Sequence, residues 1–240
     1  MFRFLSFLAA AILLAAPGAE AAPIGFDAVR YDLQGEATVS DGQGGTLDTD
    51  SFQQSPAAAD LPLLRDAAAI GAHASAFGQA GAELGFLQVG TESVPAGGET
   101  AEAFAVAVFS GDFTSPGGTL LFWLDLDAVQ VLTGAGSVEL VFSVTGLAPE
   151  SLLLDTGIGT PISLMRSVSL AAGATGTLDL QLSASAAGGA FNQAGLGFRL
   201  ETAPEPGVIP EIDGLSGTAA LTLLAGAIAL AGERRRRAEA

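Results

Sequence analysis

Runs in which every second residue is apolar, separated by glycine-rich breaks, fill the middle of this chain and restrict it to strands. Thr177-Leu178-Asp179-Leu180-Gln181-Leu182 alternates without a fault, and within Leu120–Leu132 Leu124, Leu126, Ala128 and Val131 are interrupted by Asp125, Asp127 and Gln130. Successive strand side chains point to opposite faces, so such a run puts one row in a core and the other in water. Ala103–Phe109, Val138–Val144, Ile162–Leu170, Gly176–Ser183 and Gly189–Glu201 continue the pattern, with turns read at Gly111-Asp112, Gly134-Ala135-Gly136 and Gly146. Strands at this spacing predict an all-β fold, an antiparallel β-sandwich with one wet face per sheet.

The earlier part is less regular. Ile24–Leu33 reads as a first strand, and Gly35–Asp50, rich in Gly, Asp and Thr, as a hairpin or loop. Pro56–Arg65 suits a short helical turn cut by Pro62. In Ala69–Val89, Ala72, Ala74 and Ala76 alternate with Gly71, His73 and Ser75. Gly71, Gly78, Gly81 and Gly85 weigh against a helix, so strands facing a tightly packed neighbour are expected.

Composition narrows the partners. Residues 22–210 hold 12 Asp and 9 Glu against 4 Arg, a net charge of −17, and the chain has no lysine. A domain this acidic repels nucleic-acid phosphates and anionic head groups, and it attracts divalent cations. No cysteine is present, which excludes thiol nucleophiles, disulfides and Cys-ligated metals. The core is expected to be held by apolar burial alone.

The two ends read as addresses. Residues 1–21 form a signal peptide: Arg3 precedes the 13-residue apolar stretch Phe4–Ala16, Pro17-Gly18 break it, and Ala19 and Ala21 supply small residues for cleavage after Ala21 or Ala22. At the other end Pro204-Glu205-Pro206 and Pro210-Glu211-Ile212-Asp213 lie in a linker, residues 204–214. Leu215–Gly232 follows without a charge; as a helix it is roughly 27 Å long, enough to cross a bilayer core. Arg234, Arg235, Arg236 and Arg237 lie in the final segment, 233–240, and should stay cytoplasmic, acting as a membrane stop. Residues 22–203 are left as the ectodomain.

The order of these parts resembles the PEP-CTERM class of sorting signals, carried by exported proteins of bacteria that make extracellular polysaccharide. Pro204, Glu205 and Pro206 match its motif literally; Pro210-Glu211 sits where the family places it, directly before the helix. The resemblance covers about the last 37 residues. It implies processing at one of these motifs by an exosortase-like membrane enzyme, passage through an inner-membrane intermediate, and delivery to the cell surface or extracellular matrix. It implies nothing about the fold of the ectodomain.

Candidate chemistry in the ectodomain is sparse. His73 is the chain's one histidine and lies among Ala, Gly and Ser with no nucleophile elbow, so a structural or surface role is expected. Asp125 and Asp127 sit two apart on a strand, and Asp48 and Asp50 share that spacing in a loop. Paired carboxylates can hold Ca²⁺ or act as acid and base, but a solvated sheet face is the expected reading of them. Asp41-Gly42-Gln43-Gly44-Gly45 matches neither an EF-hand nor a Gly/Asp nonapeptide loop. Trp123 follows Leu120-Leu121-Phe122 and reads as core rather than sugar platform. Gly157-Ile158-Gly159 and Gly195-Leu196-Gly197 read as turns and close strand approaches. The expected function is structural or adhesive, at the cell surface or in a polysaccharide matrix. No enzymatic activity, cofactor or nucleic-acid partner is expected. The alternatives are a Ca²⁺- or glycan-binding surface module and a secreted carboxylate-dependent hydrolase.

Overall fold

The alternation is realised as strands along nearly the whole of residues 22–203. The computed structural model describes residues 22–132, 134–154 and 161–203. These hold β1 (Asp27–Ser40), β2 (Thr46–Gln54), β3 (Leu63–Ile70), β4 (Ser75–Glu83), β5 (Phe86–Val94), β6 (Thr100–Thr114), β7 (Gly118–Leu132), β8 (Ala135–Val144), β9 (Glu150–Leu154), β10 (Ile162–Leu170), β11 (Thr175–Ala187) and β12 (Ala190–Thr202). The helical turn expected in Pro56–Arg65 is a single 3-10 turn, Ala58–Asp60.

The strands form two six-stranded sheets, ordered β2-β1-β6-β11-β8-β9 and β10-β7-β12-β5-β4-β3. Each strand pair is antiparallel. The inward rows of both sheets merge into one cluster that includes Phe109, Phe113, Leu124, Leu140, Leu180 and Leu196, all 2 % exposed or less. Burying each such side chain contributes about 1.5–3 kcal/mol. Phe26 and Phe198 pack against Phe109 with ring centroids 5.2 and 4.4 Å away.

The other end of the sandwich is filled with alanine. Ala37, Ala67, Ala69, Ala76, Ala101 and Ala103 are part of a separate buried cluster. Small side chains bring the sheets close together there. A Cβ on Gly78 of β4 would lie 2.8 Å from the Phe104 carbonyl oxygen and 3.1 Å from that of Glu36, across the sandwich. The sandwich therefore tapers from a Phe/Leu end to an Ala end.

Several expectations are corrected in detail. Gly111-Asp112 is no turn: β6 runs through it, and Gly111 is required because a Cβ there would lie 2.6 Å from the Phe109 ring. Gly195-Leu196-Gly197 likewise lies inside β12, with the Phe86 ring 2.7 Å from where a Gly195 Cβ would stand. The alternation over Gly71–Ser75 is not one strand; Gly71–Ala74 form the β3–β4 turn, closed by the Gly71 N–H donating to the Ala74 carbonyl at 2.9 Å. Asp48 and Asp50 are on strand β2 rather than in a loop. Gly157-Ile158-Gly159 falls outside the described residues.

Burial is not purely apolar. Asn192, fully buried on β12, reaches across the sandwich and donates to the Ser185 carbonyl of β11 at 2.6 Å. The buried Gln130 amide of β7 donates to Asn192 Oδ1 and to the Leu154 carbonyl of β9, both at 2.9 Å. Gln130 was expected on the wet face; it points inward and ties the two sheets together.

Candidate functional site

The inward parity of Leu120, Phe122, Leu124, Leu126 and Ala128 puts Trp123, Asp125 and Asp127 on the outer face of β7. The paired aspartates share a face, as their spacing requires. Trp123 does not enter the core, which corrects the sequence reading. It stands between Met165 of β10 and Arg199 of β12, its register partners. The Arg199 guanidinium carbon lies 5.0 Å from its ring centroid, a cation–π arrangement. Arg199 Nε also approaches Glu201 Oε1 at 3.0 Å, and Nη1 approaches Asp125 Oδ2 at 3.7 Å. Ser163 Oγ donates to Asp125 at 2.7 Å. One arginine thus serves two carboxylates and covers the indole, while the buried indole Nε1 has no hydrogen-bond partner.

The remaining acidic candidates hold backbone. Asp48 Oδ2 accepts the Ile70 N–H at 2.8 Å and Asp50 Oδ2 accepts the Ala68 N–H at 3.1 Å. Both donors belong to the outer edge of β3, so β2 uses its aspartates to bridge one open side of the sandwich. Asp41 turns back on its own loop, accepting the Gly45 and Gln43 N–H groups at 2.8 and 2.9 Å. Those two bonds, Gly45 first, hold its carboxyl below the usual range. His73 is exposed in the β3–β4 turn, where Glu99 Oε2 accepts the His73 and Ala74 N–H groups at 2.9 Å each. These bonds lower the Glu99 pKa. On the opposite side of the sandwich, Arg166 of β10 makes a two-pronged bond to Glu150 of β9 at 2.8 and 2.5 Å. That pairing lowers the Glu150 pKa and raises that of Arg166. Among the described residues no three His, Asp or Glu side chains converge on a point where a metal ion would sit.

The described residues do contain a concavity that the sequence reading did not find. It is an open trough of about 660 Å³ on the outer face of the β2-β1-β6-β11-β8-β9 sheet, lined by Glu36, Thr38, Glu102, Phe104, Ser137 and Ser185. Its origin is a step in side-chain height. Register places Glu36, Phe104, Ser185 and Ser137 in one row across β1, β6, β11 and β8, with Thr38, Glu102, Ala187 and Ala135 in the next. Bulky residues on β1 and β6 stand beside Ser and Ala on β11 and β8. Phe104 is 44 % exposed at this step. A sequence signal existed: Phe104 interrupts the small core-facing row Ala101, Ala103, Ala105 with a large apolar residue on the wet side.

The expected signal peptide with Ala19 and Ala21, the motifs Pro204, Glu205, Pro206, Pro210 and Glu211, the expected membrane helix 215–232 and Arg234–Arg237 lie outside the described residues. No helix among the described residues is long and apolar enough to cross a membrane.

Fold and tail together define a β-sandwich protein carrying a C-terminal sorting signal of the PEP-CTERM type, which marks a chain for export and delivery to the cell surface. More narrowly, residues 209–239 match the VPEID-CTERM protein sorting domain. That match takes in Pro210, Glu211 and all four terminal arginines, and leaves Pro204-Glu205-Pro206 outside. A comparison with curated proteins gives no match. Among solved structures, TmCBM61 in complex with β-1,4-galactotriose is 14 % identical, over 52 % of this chain and 85 % of that one, with a TM-score of 0.27. A structure of carbohydrate-binding modules from the β-sandwich superfamily is 11 % identical over 76 % and 94 %, with a TM-score of 0.19. These superpositions are loose, and the sandwich assignment rests on the strand pairing of this chain.

Proposed function

We propose that this chain is a bacterial cell-surface or extracellular-matrix protein whose sandwich has a structural or adhesive role. The observation that carries the reading is the sorting domain at residues 209–239 joined to an acidic sandwich. On this reading the tail crosses the inner membrane once, an exosortase-like enzyme processes it, and the ectodomain is delivered outward. A non-catalytic role is supported by what the candidate groups already do. Asp48, Asp50, Asp41 and Glu99 accept backbone N–H groups, and Asp125 is held by Ser163 and Arg199. Glu99 accepts the backbone N–H of the exposed His73.

The test is cell fractionation of the tagged full chain and of a version lacking Pro204–Ala240. The full chain is expected in the envelope or surface fraction, and the truncated one loses retention there. Full chain recovered in the cytosol sinks the reading.

A further inference from the structure

We infer that the trough beside Phe104 binds a neutral, hydroxyl-rich polysaccharide chain; this rests on the surface or matrix reading and gives it a partner. Shape comes first. The lining rows cross β1, β6, β11 and β8, three inter-strand steps of about 4.8 Å, so the lining extends about 14 Å across the sheet. Its volume is about 660 Å³ and it is open to solvent. An open trough of this extent can take a short oligosaccharide segment of a longer polymer.

Chemistry comes second. Phe104 offers a half-exposed ring for the apolar face of a sugar. Glu36 and Glu102 are acceptors only, suited to hydroxyl donors, while Thr38, Ser137 and Ser185 both donate and accept. The lining contains no cation, so an anionic ligand meets only like charge. The charge of the domain as a whole reinforces that selection against uronic acids, nucleic acids and anionic lipids.

Rigidity comes third, and it is independent of the lining. Directly behind the Glu36–Phe104 pair, Gly78 lets β4 pack against the backbone with no side chain between. Behind Ser185, the buried Asn192 holds that residue's own carbonyl from the opposite sheet. Gly136 makes room for this amide, since a Cβ there would lie 2.5 Å from Asn192 Nδ2. The trough floor is thus fixed at both ends before any ligand arrives, which removes an ordering cost from binding.

The test is affinity electrophoresis of the full chain, kept in a non-ionic detergent, through native gels containing a soluble neutral glucan, galactan or mannan, with polygalacturonate in parallel. At least one neutral polysaccharide is expected to retard the wild type, and polygalacturonate is not. Phe104→Ala should weaken that binding about tenfold. Ser185→Leu, which raises the floor, should also weaken it, while Val129→Ala on the opposite sheet leaves it unchanged. Thermal melts establish that each variant is folded; Phe104 is exposed enough that its alanine variant decides the matter if Ser185→Leu does not fold. Absence of retardation in every neutral gel, equal retardation by polygalacturonate, or a folded Phe104→Ala that binds like wild type overturns the inference. Failure here with surface location intact removes only the glycan partner, whereas a cytosolic chain removes the functional reading whatever the gels show.

Discussion

Glycines inside strands are the residues that most define this sandwich. Gly35 faces Phe52 across β1 and β2, and Gly176 faces Phe113 across β11 and β6; in each case the ring occupies the space a Cβ would need. An aromatic ring laid over a cross-strand glycine replaces the packing that glycine lacks. Gly78 is different, because its neighbours are backbone oxygens that cannot rotate away. Gly78→Ala is therefore expected to destabilise the fold by about 1–3 kcal/mol through separation of the sheets, measured as a lower urea midpoint. At the wide end, Leu196→Ala should cost about 2–5 kcal/mol, since Leu196 is fully buried and its neighbours cannot close the gap. Reading such residues from sequence succeeds where parity is unambiguous. Asp125 and Asp127 were placed on a common outer face, and carrying the same parity back two positions puts Trp123 there too. The run Leu120–Leu124 obscured this because it contains no polar residue to mark the wet side. Gln130 failed for the opposite reason: polarity alone pointed outward, and its burial is explained by two acceptors on other strands, Asn192 Oδ1 and the Leu154 carbonyl.

The edges are the elements where carboxylates matter. A sandwich has open strand edges, which are templates for unwanted pairing. Here β2 covers the free N–H groups of β3 through Asp48 and Asp50, and Glu150 of β9 clasps Arg166 of β10. Gly35–Asp50 is a hairpin, one of its two readings, and Asp48 and Asp50 looked like loop residues because the exposed edge strand β2 is largely polar on both faces, which weakens its period-two signal. The five-residue β9 escaped notice for want of length, Ser-Leu-Leu-Leu having no alternation. A pH dependence follows. Asp41, Glu99 and Glu150 have carboxyl pKa values lowered by folding, so the unfolded chain binds protons more readily. Their contribution to stability is complete above the ordinary carboxylate range, about pH 4, and is lost as the pH falls through their lower folded values. Melting temperatures should drop below about pH 4, and Glu99→Gln should flatten that drop. A melting temperature that stays level between pH 6 and pH 3 contradicts this assignment.

For the whole molecule, the layout joins two kinds of information. The sandwich class was legible because period-two runs and glycine breaks persist along the chain, and each strand pair found is antiparallel as expected. The taper was partly legible in the alanines of Ala69–Ala76, but the trough needs four strands distant in sequence to be set side by side, which no local pattern encodes. Residues 22–24 pair with the end of β12: the Ile24 N–H donates to the Leu200 carbonyl at 2.8 Å and the Thr202 N–H to the Ala22 carbonyl at 3.0 Å. The sandwich therefore starts and finishes at one place, and the sorting segment matched at residues 209–239 comes later in the chain. The central claim is export followed by processing of that segment, and intact-mass measurement of the protein recovered from the cell surface tests it most directly. The account predicts a chain beginning at Ala22 or Pro23 and ending before Leu215, without Arg234–Arg237. A cytosolic chain that retains Met1 and Ala240 contradicts it.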